Sequence, residues 1–387
     1  MIFIQTRKLS LKIFKISMLA VFSCFLYVSS IAHAEEQPFV KTGLQYRKLT
    51  TQESQIIHIL EIDPNQYTIL PQHAKGQAQG LDTLSALAKE YNAIAAINGG
   101  FFHMHDGKEG LPAGILKIKN RWYGIAYAYR AAVGWWENKP SLLMSRLQTK
   151  TTLKIKNHRF PINAVNQPGS SDRAVLFTDT FGRYADSAPG GKDFVIQKNR
   201  IIAIVDSGKT EIPQEGYVYA MGANLQHPFY APKIQDKITL DIQVIPEISA
   251  KKNAKLWQTV DNIVGGTPLL ISNGRVVVEA TQKHMQSSFA TKRRARTALG
   301  VLNNQHWMWV VVEKNQTNES VGMTLLELAH FMKAQNCQQA INLDGGGSSG
   351  MYLDGKLVTS PEEEFEDLLT PSMPRSIADA IILLEKN

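Results

Sequence analysis

Apolar and polar residues alternate in short runs along most of the chain, and Gly, Pro, Asp or Asn closes nearly every run. Residues 43–70 behave this way, with Ile56-Ile57-His58-Ile59-Leu60-Glu61-Ile62 as the clearest stretch, and 114–119, 131–136, 174–178, 194–197 and 201–205 continue it. These segments predict strands. A stripe at i, i+3, i+4, i+7 is confined to Leu84, Leu87, Ala88 and Tyr91 and to Leu325, Leu328, Ala329 and Met332, with a weaker one over 253–262. Asp82 is the expected cap of the first helix, and Thr324 with Glu327 writes a capping box for the second. The pattern predicts an α+β protein, a single large domain dominated by twisted mixed or antiparallel sheet with a few helices. Residues 279–296 lack either period and are expected to form a mobile loop ending in the basic run Lys292-Arg293-Arg294-Ala295-Arg296.

The first 34 residues read as a signal peptide: Arg7, Lys8, Lys12 and Lys15 precede an apolar stretch from Ile16 to Ile31, and Ala32-His33-Ala34 offers a cleavage site. The expected location is periplasmic or secreted, with no integral membrane span once the leader is removed near Glu35. Removing those four basic residues lowers the formal charge from +8 to +4, which is no nucleic-acid signature. Cys24 leaves as well, so Cys337 stands alone and is expected to be a buried structural thiol. Residues 35–80 are then a β-rich N-terminal extension and 81–387 the main domain.

Chemistry concentrates in two similar units. Ala340-Ile-Asn-Leu-Asp-Gly-Gly-Gly-Ser-Ser-Gly350 delivers Asp344 into three glycines and two serines. Ala96-Ile-Asn-Gly-Gly-Phe-Phe102 repeats the opening of that motif, and each copy follows one of the two predicted helices. Glycines let a ligand approach the backbone, and amides and hydroxyls around one acid suit phosphate or a sugar. If both strands lie in one sheet, Asn98 and Asp344 emerge at the same edge.

Taken in order, Asn98-Gly-Gly-Phe-Phe102, Gly265-Gly-Thr-Pro268, Arg296-Thr-Ala-Leu-Gly300, Asn342-Leu-Asp-Gly-Gly-Gly-Ser-Ser349 and Arg375 resemble the phosphodiester glycosidase family over roughly residues 80–387. The resemblance implies hydrolysis of a sugar-1-phosphodiester at the C1–O bond by an exported enzyme acting on envelope or exopolysaccharide components. It implies catalytic roles for Asp344, as nucleophile or general base, and for Arg296, as first choice for a guanidinium fork on phosphate. Asn98, Gly99, Gly100, Thr297, Asn342, Gly345, Gly346, Gly347, Ser348, Ser349 and Arg375 would bind substrate. Three positions depart from the family pattern: Glu313, Gly350 and Asp379. Asp379 is expected as a partly exposed strand acid, with a second catalytic carboxylate as the alternative.

His103-Met104-His105-Asp106 could ligate a metal but reads better as a loop at a pocket mouth. Trp122, Trp135 and Trp136 suit either sugar stacking or core packing. The motifs call for no cofactor, and a divalent cation such as calcium is left open. The expected partner is a carbohydrate or sugar phosphate, not nucleic acid. Two other functions compete with the hydrolase: a non-catalytic glycan-binding protein in exopolysaccharide assembly, and a metal phosphodiesterase breaking the P–O bond.

Overall fold

The computed structural model describes residues 33–34, 39–225, 230–247, 252–278, 287–315, 320–360 and 374–386. Most of the leader segment lies outside them, while His33 and Ala34 pair with Thr50 and Leu49. Sheet dominates, as the alternation predicts. We label the elements that position the site in chain order: β1 (Leu44–Thr50), β2 (Ile56–Ile62), β3 (Tyr67–His73), α1 (Leu84–Glu90), β4 (Ala95–Asn98), β5 (Leu116–Ile118), β6 (Arg130–Trp135) and β7 (Leu142–Ile155). Then follow α2 (Ala254–Trp257), β8 (Asn262–Gly265), β9 (Leu269–Ser272), α3 (Ser287–Thr291), β10 (Arg296–Leu302), β11 (Trp307–Val312), α4 (Leu325–Ala334), β12 (Cys337–Asn342), β13 (Met351–Leu353) and β14 (Asp379–Glu385).

Three sheets converge on one region. The largest runs β1-β2-β11-β10-β12-β9, the second contains β7-β6-β8-β5, and the third runs β13-β4-β14-β3. The ladders among these strands are antiparallel, whereas Ala164–Val165 pairs in parallel with Ala174–Thr178 in a further sheet. Strands β10 and β11 are buried at every position, so they show a continuous apolar run instead of alternation. Both faces are covered: α4 packs Leu325, Leu328, Ala329 and Met332 on one, and Trp307 and Trp309 meet the central core on the other. Trp135 and Trp307 lock two sheets edge to face at 5.6 Å, and the Trp135 indole N–H donates to the Ile69 carbonyl at 2.8 Å. Trp135 and Trp136 are therefore core residues.

Several sequence expectations change in detail. Thr83, not Asp82, caps α1: its hydroxyl accepts from the Ala86 N–H, while Asp82 holds the Thr83 N–H. The capping box of α4 forms as expected, with Thr324 and Glu327 each accepting the other's N–H. The segment 279–296 is not one loop, because Ser287–Thr291 is helical and Arg296 opens β10; residues 279–286 lie outside the described set. Cys337 is buried, and burial pushes its thiol up to about 12. Gly300 makes room for it: a Cβ at Gly300 would stand 2.7 Å from the Cys337 sulfur and 2.8 Å from the Met332 methyl.

Because α4 covers the strands that carry the site, its cap has a measurable effect. Thr324→Ala should lower the free energy of unfolding by about 1 kcal/mol, read from the urea midpoint at unchanged slope.

Candidate active site

The Ala-Ile-Asn repeats lie in different sheets, Asn98 at the end of β4 and Asn342 at the end of β12. They are not neighbours in one sheet, yet their ends meet. The Asn98 side chain is fully buried and joins three segments: its Nδ2 donates to the Asp344 carbonyl at 2.9 Å, and its Oδ1 accepts from the Thr297 hydroxyl at 2.6 Å and the Gly350 N–H at 3.2 Å. Main chain completes the junction. The Asp344 N–H donates to the Gly99 carbonyl at 3.1 Å, and the Gly99 N–H donates to the Asp379 carbonyl at 2.9 Å. Asn98 and Thr297 thus hold the site together, since buried amide and hydroxyl groups must be paired.

Asn342 works on its own backbone neighbourhood. Its Nδ2 donates to the carbonyls of Thr267 and Leu343, each at 2.7 Å, and its carbonyl takes the Thr267 N–H at 2.9 Å. That fastens the Gly265–Pro268 turn beside β12.

The acid loop is compact. The Gly345 N–H donates to Asp344 Oδ1 at 2.9 Å, and Arg375 Nη2 donates to the Ser348 hydroxyl at 2.6 Å while lying 4.0 Å from Asp344 Oδ2. Gly346 has a φ of 62°, the left-handed region that glycine enters without strain, and starts the single turn that carries Ser348 back toward the acid. Gly347 packs against the arginine, since a Cβ there would sit 3.4 Å from Arg375 Nε. The Ser349 hydroxyl is buried and has no hydrogen-bond partner among the described residues.

Asp379 departs from expectation. It is 2% exposed, not a partly exposed strand acid, and its Oδ1 accepts the Gly100 N–H at 2.8 Å. Burial above all, opposed by the Gly100 N–H and helped by the nearby Asp344 charge, pushes its carboxyl up to about 7. Asp344 is also raised by burial, but the Ser348 hydroxyl, the Gly345 N–H and Arg375 all favour its charged form. Three neighbours thus favour a charged Asp344, against one at Asp379. Gly99 permits the approach: a Cβ there would lie 1.9 Å from Asp379 Oδ1.

Arg296 is 1% exposed, and its stem passes close to Gly345. Its Nε donates to the Met323 carbonyl at 3.0 Å, and Nη2 donates to the carbonyls of Phe289 at 2.8 Å and Lys292 at 2.9 Å. The guanidinium stacks on Phe289 at 5.2 Å. These contacts tie α3 to the start of β10 and occupy its Nε and Nη2. His103 is half-buried and His105 exposed, and no cluster of three potential metal ligands occurs among the described residues. A small cavity beside Asp379 is lined by that residue with Gly100, Phe101, Arg130, Gly265 and Gly266.

Sequence reasoning underweighted Asp379 and passed over Arg130. The usable signal for Asp379 was an acid inside the apolar run Ile377-Ala378-Asp379-Ala380-Ile381-Ile382. Arg130 had no motif around it.

Residues 192–384 match the family model described as phosphodiester glycosidase. An uncharacterized protein of Rickettsia conorii is 24% identical over 264 residues, covering 67% of this chain and 87% of that protein. The N-acetylglucosamine-1-phosphodiester alpha-N-acetylglucosaminidase of Mus musculus is 28% identical over 132 residues, 32% of this chain, and the match spans only 25% of the mouse protein. A crystal structure of a hypothetical protein from Synechocystis has the same fold, with a TM-score of 0.75 at 21% identity, covering 91% of this chain and 64% of that one.

Two outcomes test the site's construction. Thr297→Val should cost about 1 kcal/mol by removing one of the hydrogen bonds to the Asn98 amide oxygen, measured by denaturant unfolding. For the acid pair, the folded Asp379 pKa lies above its unfolded value. Between about 4 and about 7 the folded chain holds a proton that the unfolded chain has lost, so this contribution to stability is lost as pH rises through that window. Asp379→Asn should flatten that part of the stability–pH curve; an unchanged slope would show that the carboxyl titrates normally.

Proposed function

With residues 192–384 belonging to the phosphodiester glycosidase family, we propose that this chain hydrolyses a sugar-1-phosphodiester at the C1–O bond, releasing free sugar and a phosphomonoester. The observation that carries the reading is the pair of carboxyls Asp344 and Asp379, both raised by burial, with Arg375 Nη2 4.0 Å from Asp344 Oδ2. Glycoside hydrolysis uses two carboxyls of that kind.

Asp344 is the charged member and stabilises positive charge developing at C1, either by bonding to it or by drawing the proton from water. Asp379 carries the proton. A phosphate leaving group needs its charge met more than it needs a strong acid, and Arg375 supplies a guanidinium next to Asp344. The N–H groups of Gly345 and Gly346 are taken by Asp344 Oδ1 and the Ala295 carbonyl, and the Gly347 N–H and the Ser349 hydroxyl offer further donors for phosphate or sugar oxygens. Gly99 and Gly100 bring the backbone close to Asp379. Asn98, Thr297 and Asn342 position these groups through backbone and side-chain bonds. Arg296 acts likewise, through α3 and the residues that precede Asp344's loop.

The basic and apolar leader supports export, and a substrate in the cell envelope or an exopolysaccharide fits that location. No helix among the described residues is long and apolar enough to cross a membrane.

The test is to incubate the protein and its Asp344→Asn variant with a panel of sugar-1-phosphodiesters, following reducing sugar and phosphomonoester together. Wild type should release both in equal amounts, and the variant should lose at least about a hundredfold in kcat. In wild type, kcat/KM should fall on the alkaline side as Asp379 gives up its proton near 7. Tight glycan binding by both proteins without release would establish a binding module instead.

A further inference from the structure

Arg130 opens β6 and lines the same cavity as Asp379, Gly100 and the Gly265-Gly266 turn, yet the reaction above leaves it without a task. It is half-buried. Among the described residues its guanidinium makes one hydrogen bond, from Nη1 to the Ala113 carbonyl at 3.2 Å, and no ion pair. Loop 101–114 folds back beside it: the Ala113 N–H donates to the Phe101 carbonyl at 2.8 Å, and the N–H groups of His103 and Gly110 bond to the carbonyls of Leu111 and His103, each at 2.9 Å. That fold places His103 and Lys108, both half-buried, near Arg130. Burial first, then the charges of Lys108 and Arg130, hold the His103 imidazole below its usual range.

Arg130 therefore lines the cavity with Lys108 and His103 close behind it, and the carboxyl at the cavity wall is pushed up to about 7. A guanidinium with no carboxylate partner is a strong, geometrically specific anion receptor. Arg375 already stands at the acid loop, bonded to Ser348 and close to Asp344. A phosphodiester carries a single negative charge, so one arginine at the acid loop already answers it.

We propose that Arg130, flanked by Lys108 and His103, forms a second anionic subsite, and that the natural substrate bears a further carboxylate or phosphate besides its phosphodiester. This rests on the glycosidase reading above and deepens it by naming a substrate class. The extra acid would sit either on the sugar, as in a uronic acid, or on the group beyond the phosphodiester.

The test uses three 1-phosphodiesters at low salt: the methyl phosphodiester of glucose, that of glucuronic acid, and glucose linked through phosphate to a glycerol bearing a terminal phosphate. Wild type should favour one acidic compound over the methyl glucose diester by at least tenfold in kcat/KM, and Arg130→Ala should reduce that ratio at least tenfold. Preference for the glucuronate places the acid on the sugar; preference for the glycerol phosphate places it beyond the phosphodiester. Equal rates on all three, or a ratio that Arg130→Ala leaves intact, would overturn the subsite. If none of the three is cleaved, the glycosidase reading is in question, and calorimetry with the same compounds decides the subsite separately. Tighter binding of an acidic compound that Arg130→Ala removes supports it; equal binding overturns it. Should Arg130→Ala unfold, Lys108→Ala gives the same ratio with a smaller expected change.

Discussion

One buried carboxamide governs this site. Asn98 sits where the ends of strands from two sheets meet, and its three side-chain bonds reach the Asp344 carbonyl, the Thr297 hydroxyl and the Gly350 N–H. None of these partners is near it in sequence, and Asn98 and Thr297 are themselves buried. A polar group in such a place either finds its partners or costs the fold their desolvation. The same bonds that remove the penalty set the distance between the acid loop and β14, so stability and active-site geometry rest on one side chain.

Electrostatics follows from that closure. Two carboxyls brought together out of water cannot both carry charge cheaply, and the donors around them are unevenly divided. Asp344 has a hydroxyl, an N–H and an arginine in reach, while the side chain of Asp379 has the Gly100 N–H. The asymmetry needs no special residue. It comes from where three glycines, two serines and the chain ends of β4 and β14 happen to be placed by the sheets.

How much of this was legible beforehand depended on the range of the interactions involved. Strand alternation and the stripes of α1 and α4 are local, and they predicted the α+β, sheet-rich fold. The capping box of α4 is also local and formed as read, whereas one residue's difference in the α1 cap turned on whether Asp82 or Thr83 faced the open N–H of Ala86. Strands β10 and β11 show no alternation because both their faces are buried, which follows from tertiary packing and not from their own composition. The acid loop announced itself through its glycines. The convergence of Asn98 with Asp344 was inferred from a repeated motif, but through the wrong arrangement: the repeats occupy separate sheets. Asp379 and Arg130 were hidden for one reason: an acid in an apolar strand and an arginine at a strand's start acquire meaning only from neighbours hundreds or tens of residues away. Arg296 shows the converse. The family resemblance implied a phosphate contact for it, and its Nε and Nη2 meet the backbone carbonyls of Met323, Phe289 and Lys292, which lie up to 27 residues away along the chain.

The thiol packed against Gly300 has a practical consequence. Cys337 is buried behind Met332 and held in its protonated form, so alkylating and oxidising reagents that require an exposed thiolate have little access to it. A chain lacking its first 34 residues has no other cysteine. Such a protein is a ready background for site-specific chemistry: one cysteine introduced on the surface, for example in place of Met104, would take a fluorophore or spin label alone, and without any prior removal of native thiols.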